Sequence, residues 1–238
     1  MRGLVLFDID GTLLRPGDRD HHAAFVYAME HVYGLPATLE GVPLAGMLDS
    51  QIARLALSRH GLPEAEIDAQ LAEMIAIMGE HYAAAVARLS RLERVLPGVP
   101  EVAAGLRDAH FALGVLTGNA EAVARVKLEA SNLDRFFPIG AYGDTARERG
   151  HLVEAGLAAA ARHFGIAFRP DQTVLVGDTP RDVEAARLGG TRVLAVATGR
   201  YGVDELADHA PDAVLPNLGD PPRVVSVIEE LVGVEIQY

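Results

Sequence analysis

The 238-residue chain is predicted to be an α/β protein, with a doubly wound parallel sheet of the Rossmann type and a helical cap domain inserted after the first strand. Three observations predict this. Short, fully apolar runs recur and each stops at a polar residue or a glycine, as in strands covered on both faces. Segments of helical period separate those runs, which is the β-α alternation of a parallel sheet. A long alanine-, leucine- and methionine-rich stretch with no convincing strand interrupts the pattern from about residue 16 to 95.

The apolar runs are Leu4–Phe7, which stops at Asp8, and Ala112–Leu116, which stops at Thr117. Val174–Val176 stops at Gly177-Asp178, and Arg192–Ala197 ends near Thr198-Gly199. Ile139–Tyr142 is a weaker strand candidate. Helical segments are expected at roughly 100–109, 120–131, 151–164 and 180–188 in the core, and at His22–Tyr33, Asp49–His60 and Glu64–Leu89 in the insertion. Arg15-Pro16-Gly17-Asp18 and Pro97-Gly98-Val99-Pro100 break the chain on either side. The expected domains are therefore 1–15 plus 98–238 for the core and 16–97 for the cap, joined by two adjacent linkers that can act as a hinge.

Composition narrows the function. Lys+Arg 21 against Asp+Glu 33 gives a net charge of −12 with no basic stripe, which argues against nucleic acid or an anionic membrane as partner. With no cysteine, disulfides, thiol chemistry and zinc-thiolate sites are excluded. The N-terminus meets Asp8 before a signal-peptide apolar region is complete, and no apolar run nears the roughly 20 residues of a membrane span. A cytoplasmic monomer or homodimer handling a small metabolite is expected.

Ligands of open α/β sheets bind beyond the carboxyl ends of the strands, and Asp8, Thr117 and Asp178 all fall at that edge. Asp8 and Asp10 flank a single residue, and carboxylates about 4 Å apart repel by roughly 4 kcal/mol at an effective dielectric near 20. A hard divalent cation such as Mg²⁺ resolves that repulsion. The Asp-x-Asp-Gly start also matches a calcium-loop pattern, but an apolar strand precedes it and no ligand-like spacing follows. Thr117-Gly118-Asn119 can hold a phosphate oxygen at a helix start, and it can equally be a plain strand-to-helix turn. In Gly177-Asp178-Thr179-Pro180-Arg181-Asp182, Thr179 suits a helix N-cap with Pro180 next. Asp182 then serves as a capping residue or as part of the metal site.

These residues carry a resemblance. Asp8-Ile9-Asp10-Gly11-Thr12-Leu13, Thr117 and Gly177 to Asp182, in that order and with that insertion point, resemble the haloacid dehalogenase superfamily in its capped phosphatase branch, like phosphoglycolate phosphatases and β-phosphoglucomutases. The resemblance implies a Mg²⁺-dependent phosphomonoester hydrolase acting on a small phosphorylated metabolite. In it Asp8 is the nucleophile that becomes an aspartyl phosphate and Asp10 is the general acid and base. Mg²⁺ is held by Asp8, the Asp10 carbonyl and Asp178, and phosphate is bound by Thr117, Gly118 and Asn119.

The chain departs from the family where a lysine is usual before the helix leading to the last motif. The stretch there reads Thr145-Ala146-Arg147-Glu148-Arg149-Gly150-His151. Arg149 is the positional match, whereas Lys127 is the single lysine of the chain. Lys127 would stand roughly 10 Å along its helix from the sheet edge at 1.5 Å per residue, so the cationic role stays open between the two. In Gly46-Met47-Leu48-Asp49, Asp49 is either a substrate-facing cap residue or the N-cap of the helix that follows. The histidines, His21 among them, show no metal-ligand spacing and are read as surface or packing residues. A phosphomutase of the same superfamily is the near alternative. A 2-haloacid dehalogenase fits less well, because it needs neither Asp10 nor Asp178. A phosphate-sensing pseudo-enzyme would not need the retained aspartates.

Overall fold

The computed structural model describes residues 1–87, 89–144 and 146–233 and contains one sheet of six parallel strands. The strands are β1 (Leu4–Phe7), β2 (Ala112–Leu116), β3 (Gly140–Ala141), β4 (Thr173–Gly177), β5 (Arg192–Val196) and β6 (Ala213–Leu215), in the order β3-β2-β1-β4-β5-β6. Thr145 and the expected core residues 234–238 lie outside the described residues. β6 is a strand that the apolar runs did not predict: Ala213-Val214-Leu215 is apolar but only three residues long and half-buried, closed in between Asp212 and Pro216.

The alternation of the strands explains their unbroken apolar character. Val5 and Phe7 of β1 join Val115, Val174, Val176 and Leu194 in one buried cluster, while Leu4 and Leu6 join Leu116, Leu175 and Ala195 in another. The first face is covered by α4 (Val99–Asp108) and α9 (Pro221–Leu231), the second by α6 (His151–Phe164) and α7 (Pro180–Gly189). Both faces of the sheet are therefore dry, which favours Val, Leu and Ala at every position.

Register sets the site. Phe7 pairs with Val115 on one side and with Val176 on the other, and the chain order reverses between β1 and β4. Asp8, Thr117 and Asp178 leave the sheet together at this switch point, where such sheets open a crevice.

Between β1 and α4 lie α1 (Arg19–Tyr33), α2 (Asp49–Arg59) and α3 (Glu64–Val86). α1 begins three residues before the expected His22 because the Asp18 side chain accepts hydrogen bonds from the Asp20 and His21 amides, and it ends at Gly34 with φ 65°. Phe25, Met29, Ile52, Leu57, Met74, Met78 and Tyr82 form a separate buried cluster among the three helices. The two strands of chain that flank this unit run side by side: the Arg15 amide donates to the Arg94 carbonyl and the Leu96 amide to the Leu13 carbonyl.

The unit also touches the core away from these linkers. α3 packs on α5 (Glu121–Ala130), where a Cβ at Gly79 would stand 2.6 Å from that of Ala122. Leu48, fully buried, enters the cluster under the second face of the sheet. No helix among the described residues is long and apolar enough to cross a membrane.

Candidate active site

Asp8 ends β1 almost fully buried, and its Oδ1 accepts the Ile9 amide at 2.7 Å. Gly11, with φ 89°, turns the chain back beneath it. A Cβ at Gly11 would lie 2.3 Å from Asp178, and one at Gly199 would lie 1.7 Å from Asp178 Oδ2. Asp178 therefore occupies space that two glycines leave open, and the Thr12 hydroxyl donates to its Oδ1 at 3.2 Å. The same economy holds at Gly177, where a Cβ would overlap the Asp182 carboxyl group.

Of the two roles that its sequence context left open for Asp182, the structure shows the capping one. As the third residue of α7 its Oδ2 accepts the Thr179 amide at 3.0 Å and the Thr179 hydroxyl at 2.7 Å, which closes a capping box. Its Oδ1 accepts Arg149 Nη2 at 2.5 Å, and the same nitrogen reaches Asp8 Oδ2 at 2.8 Å. Arg149 thus bridges the nucleophile candidate and Asp182 of the last motif.

Lys127 also reaches the site, contrary to the axial-distance argument. Its Nζ stands 2.5 Å from Asp10 Oδ2, and its side chain is 1% exposed. The argument measured the helix axis alone. Side chains on a helix lean toward its N-terminus, and here that is the direction of the sheet edge. The two cations therefore divide the work, Arg149 on Asp8 and Lys127 on Asp10. Asn119 Nδ2 donates to the same Asp10 oxygen at 2.9 Å.

Thr117, Gly118 and Asn119 are placed less uniformly. Gly118 and Asn119 line the cavity above Asp8, whereas Thr117 is fully buried behind them, its hydroxyl accepting the Asn119 amide and side-chain nitrogen. Gly118 is required by crowding: a Cβ there would stand 2.0 Å from the Met47 carbonyl oxygen. Its own carbonyl accepts the Asp49 amide.

Asp49 is the first residue of α2 rather than its N-cap, which is Leu48. Its carboxylate accepts the Ala120 amide at 2.7 Å at the start of α5, and so it ties the helical unit to the core. His21 is the residue that its isolated position in sequence concealed. It lies 3.3 Å from Lys127 Nζ through Nδ1 and 3.3 Å from Asp49 through Nε2. Its signal was its place just after the Asp18 cap, one helical turn before the buried Phe25. Thr12 and Arg200, a cavity-lining residue after β5, were likewise not singled out.

Electrostatics follow from this packing. Burial, with Asp182 and Asp8 nearby, pushes the Asp178 carboxyl up to about 8, against the Thr12 bond and Arg149. Burial also raises Asp8, and Arg149 limits the rise to about 6. Asp10 goes the other way: burial would raise it, but the Lys127 and His21 charges and the bonds from Lys127 and Asn119 hold it below the usual carboxylate range. Asp8, Asp178 and Asp182 offer oxygens within 4.8 Å of one another, a spacing that one cation can bridge. Oxygen donors alone suit a hard ion. Both oxygens of Asp182 and both of Asp8 already accept hydrogen bonds, Asp182 from Thr179 and Arg149 and Asp8 from Ile9 and Arg149, so an ion here would share them with those donors.

A hydrolase of the phosphatase kind is the class that this sheet and its acidic edge define. Comparison with known proteins supplies the family: residues 3–190 match the haloacid dehalogenase-like hydrolases, and the chain belongs to them. Phosphoglycolate phosphatase of Nitrosococcus oceani is 33% identical over 130 residues, which span 54% of this chain and 56% of that protein, little more than half its length. Phosphoglycolate phosphatase 1 of Pseudomonas aeruginosa is 30% identical over 223 residues, covering 91% of this chain and 77% of that one. Among solved structures, β-phosphoglucomutase of Clostridium difficile has the same fold, with a TM-score of 0.71 at 15% identity over 98% of this chain and 97% of that one.

Proposed function

We propose that the protein is a Mg²⁺-dependent phosphomonoester hydrolase that works through an aspartyl phosphate on Asp8. The observation that carries this is the setting of Asp8: a nearly buried carboxylate at the cavity floor, with Arg149 bonded on one side and Asp178 close on the other. Arg149 Nε is buried without a hydrogen-bond partner among the described residues, and Arg149 lines the cavity. Asp8, the Asp10 carbonyl and Asp178 would hold Mg²⁺, which when bound neutralises charge on the transferring phosphoryl group.

The remaining steps belong to the side chains. Asp8 attacks phosphorus while the bond to the alcohol oxygen breaks, and Asp10 gives that oxygen a proton. The Asp10 carboxylate then takes a proton from water as the water attacks the aspartyl phosphate, which releases inorganic phosphate and restores Asp8. Paired with Lys127, Asp10 is ionised in the state seen here, the form that accepts a proton. Its acid role follows when phosphate dianion arrives beside it, because a second negative charge nearby disfavours its ionised form. Residues 16–97 act as the cap that excludes water, with the paired linkers at 13–15 and 94–96 as its hinge.

Net charge supports a small phosphorylated metabolite as partner rather than nucleic acid or membrane, for a cytoplasmic monomer or homodimer. A panel of phosphomonoesters with Mg²⁺, run on the protein and on Asp8→Asn, tests the proposal. Turnover by the first and none by a folded second supports it. Activity that survives Asp8→Asn overturns it, and isomer formed faster than phosphate would transfer the assignment to a mutase.

A further inference from the structure

A cavity of about 540 Å³ lies between the acidic floor and the helical unit. That is within the range of sites for drug-sized ligands and more than a two-carbon phosphate fills. Its floor is polar, but the wall facing that floor is built from Phe25, Leu39, Leu44, Ala45, Met47 and Ile52. Three of the polar side chains that line the cavity already have partners, whereas Arg19, His22 and Arg200 line it where they are exposed to solvent. Asp49 accepts the Ala120 amide, His21 lies against Lys127, and Asp18 accepts the Tyr82 hydroxyl at 2.8 Å.

A sugar or hydroxy-acid phosphate would bring hydroxyls or a carboxylate against this wall and strip their water without returning hydrogen bonds. An apolar alcohol would lose nothing there. Leu44 makes the same point from outside: it is 40% exposed, a large apolar side chain left partly in water where the loop before α2 borders the cavity. An exposed leucine alone is ordinary, but this one continues a six-residue apolar surface.

We infer that the leaving alcohol of the substrate is apolar, an aliphatic or aromatic body lying against Phe25, Leu39, Leu44 and Ile52 while its phosphate sits on Asp8. The inference rests on the phosphomonoesterase reading above and specifies its substrate class.

The test is kcat/KM for a linear series from ethyl to hexyl phosphate with Mg²⁺, beside phosphoglycolate and glucose 6-phosphate. The leaving alcohols of the series have nearly equal acidity, so its slope reports burial rather than reactivity. The expected rise is roughly fourfold per buried methylene, or about two-hundredfold across the series. In Leu44→Asp the hexyl-to-ethyl ratio should fall by roughly tenfold, and because the ratio is internal to each protein, partial loss of folding does not affect it. A flat or falling series, or a preference for phosphoglycolate or glucose 6-phosphate over hexyl phosphate, overturns the inference and leaves the phosphatase reading intact. No turnover of any ester overturns both.

Discussion

Arg149→Met removes the one cation bonded to both Asp8 and Asp182 while keeping much of the side-chain volume. Separations of 2.8 and 2.5 Å correspond to attractions of roughly 6 and 7 kcal/mol at an effective dielectric near 20. Desolvation offsets most of that, and removing one partner of a buried pair costs about 3–5 kcal/mol. The cost depends on pH with a definite sign. Asp8 and Asp178 already have folded values near 6 and 8, above their ordinary 3.8, and without Arg149 both rise further. A raised carboxyl costs the folded state nothing below its unfolded value and progressively more as pH climbs toward its folded value. The deficit of the variant should therefore be about 3–5 kcal/mol at pH 8 and clearly smaller at pH 5. Urea unfolding of both proteins in Mg²⁺-free buffer measures it. An equal deficit at the two pH values, or none at pH 8, would refute the placing of Arg149 between Asp8 and Asp182.

Three further outcomes follow from the same contacts. Lys127→Met removes the charge that holds Asp10 down, so the acid limb of the kcat–pH profile should move up; an unmoved limb would mean that Asp10 is not the group titrating. Gly199→Ala puts a methyl group 1.7 Å from Asp178 Oδ2. The Mg²⁺ concentration for half-maximal activity should rise at least roughly tenfold while the melting temperature changes little. With Asp178 near 8, Mg²⁺ added at pH 7 should release close to one proton, and far fewer at pH 9; isothermal titration in two buffers of different ionisation enthalpy counts them.

Legibility in the sequence divided along physical lines. Strands buried on both faces announce themselves because every residue must be apolar, and β1, β2, β4 and β5 were placed to within a residue. β6 was missed because its apolar run is only three residues long and half-buried, and α9 then follows without a predicted strand to frame it. Asp8, Asp10 and Asp178 were legible because each stands directly after a strand or one turn beyond it. Lys127 was misjudged by an argument that gave its helix a length and its side chain none. His21 and Asp49 were obscured because their meaning is tertiary: a histidine and an aspartate far apart in sequence meet only when α1, α2 and α5 pack together. The glycines carry more than their spacing suggests, since Gly11, Gly177 and Gly199 make room for carboxyl groups that no linear pattern shows touching them.

The central claim is that Asp8 becomes covalently phosphorylated during turnover. Acid-quenching the enzyme with a phosphomonoester and Mg²⁺, reducing it with borohydride and mapping peptides by mass spectrometry tests this directly, because an acyl phosphate is reduced to an alcohol and a free carboxylate is not. The account predicts homoserine at position 8 alone, and none without substrate. Reduction at another acidic position, or an unmodified Asp8 peptide during steady turnover, would contradict it.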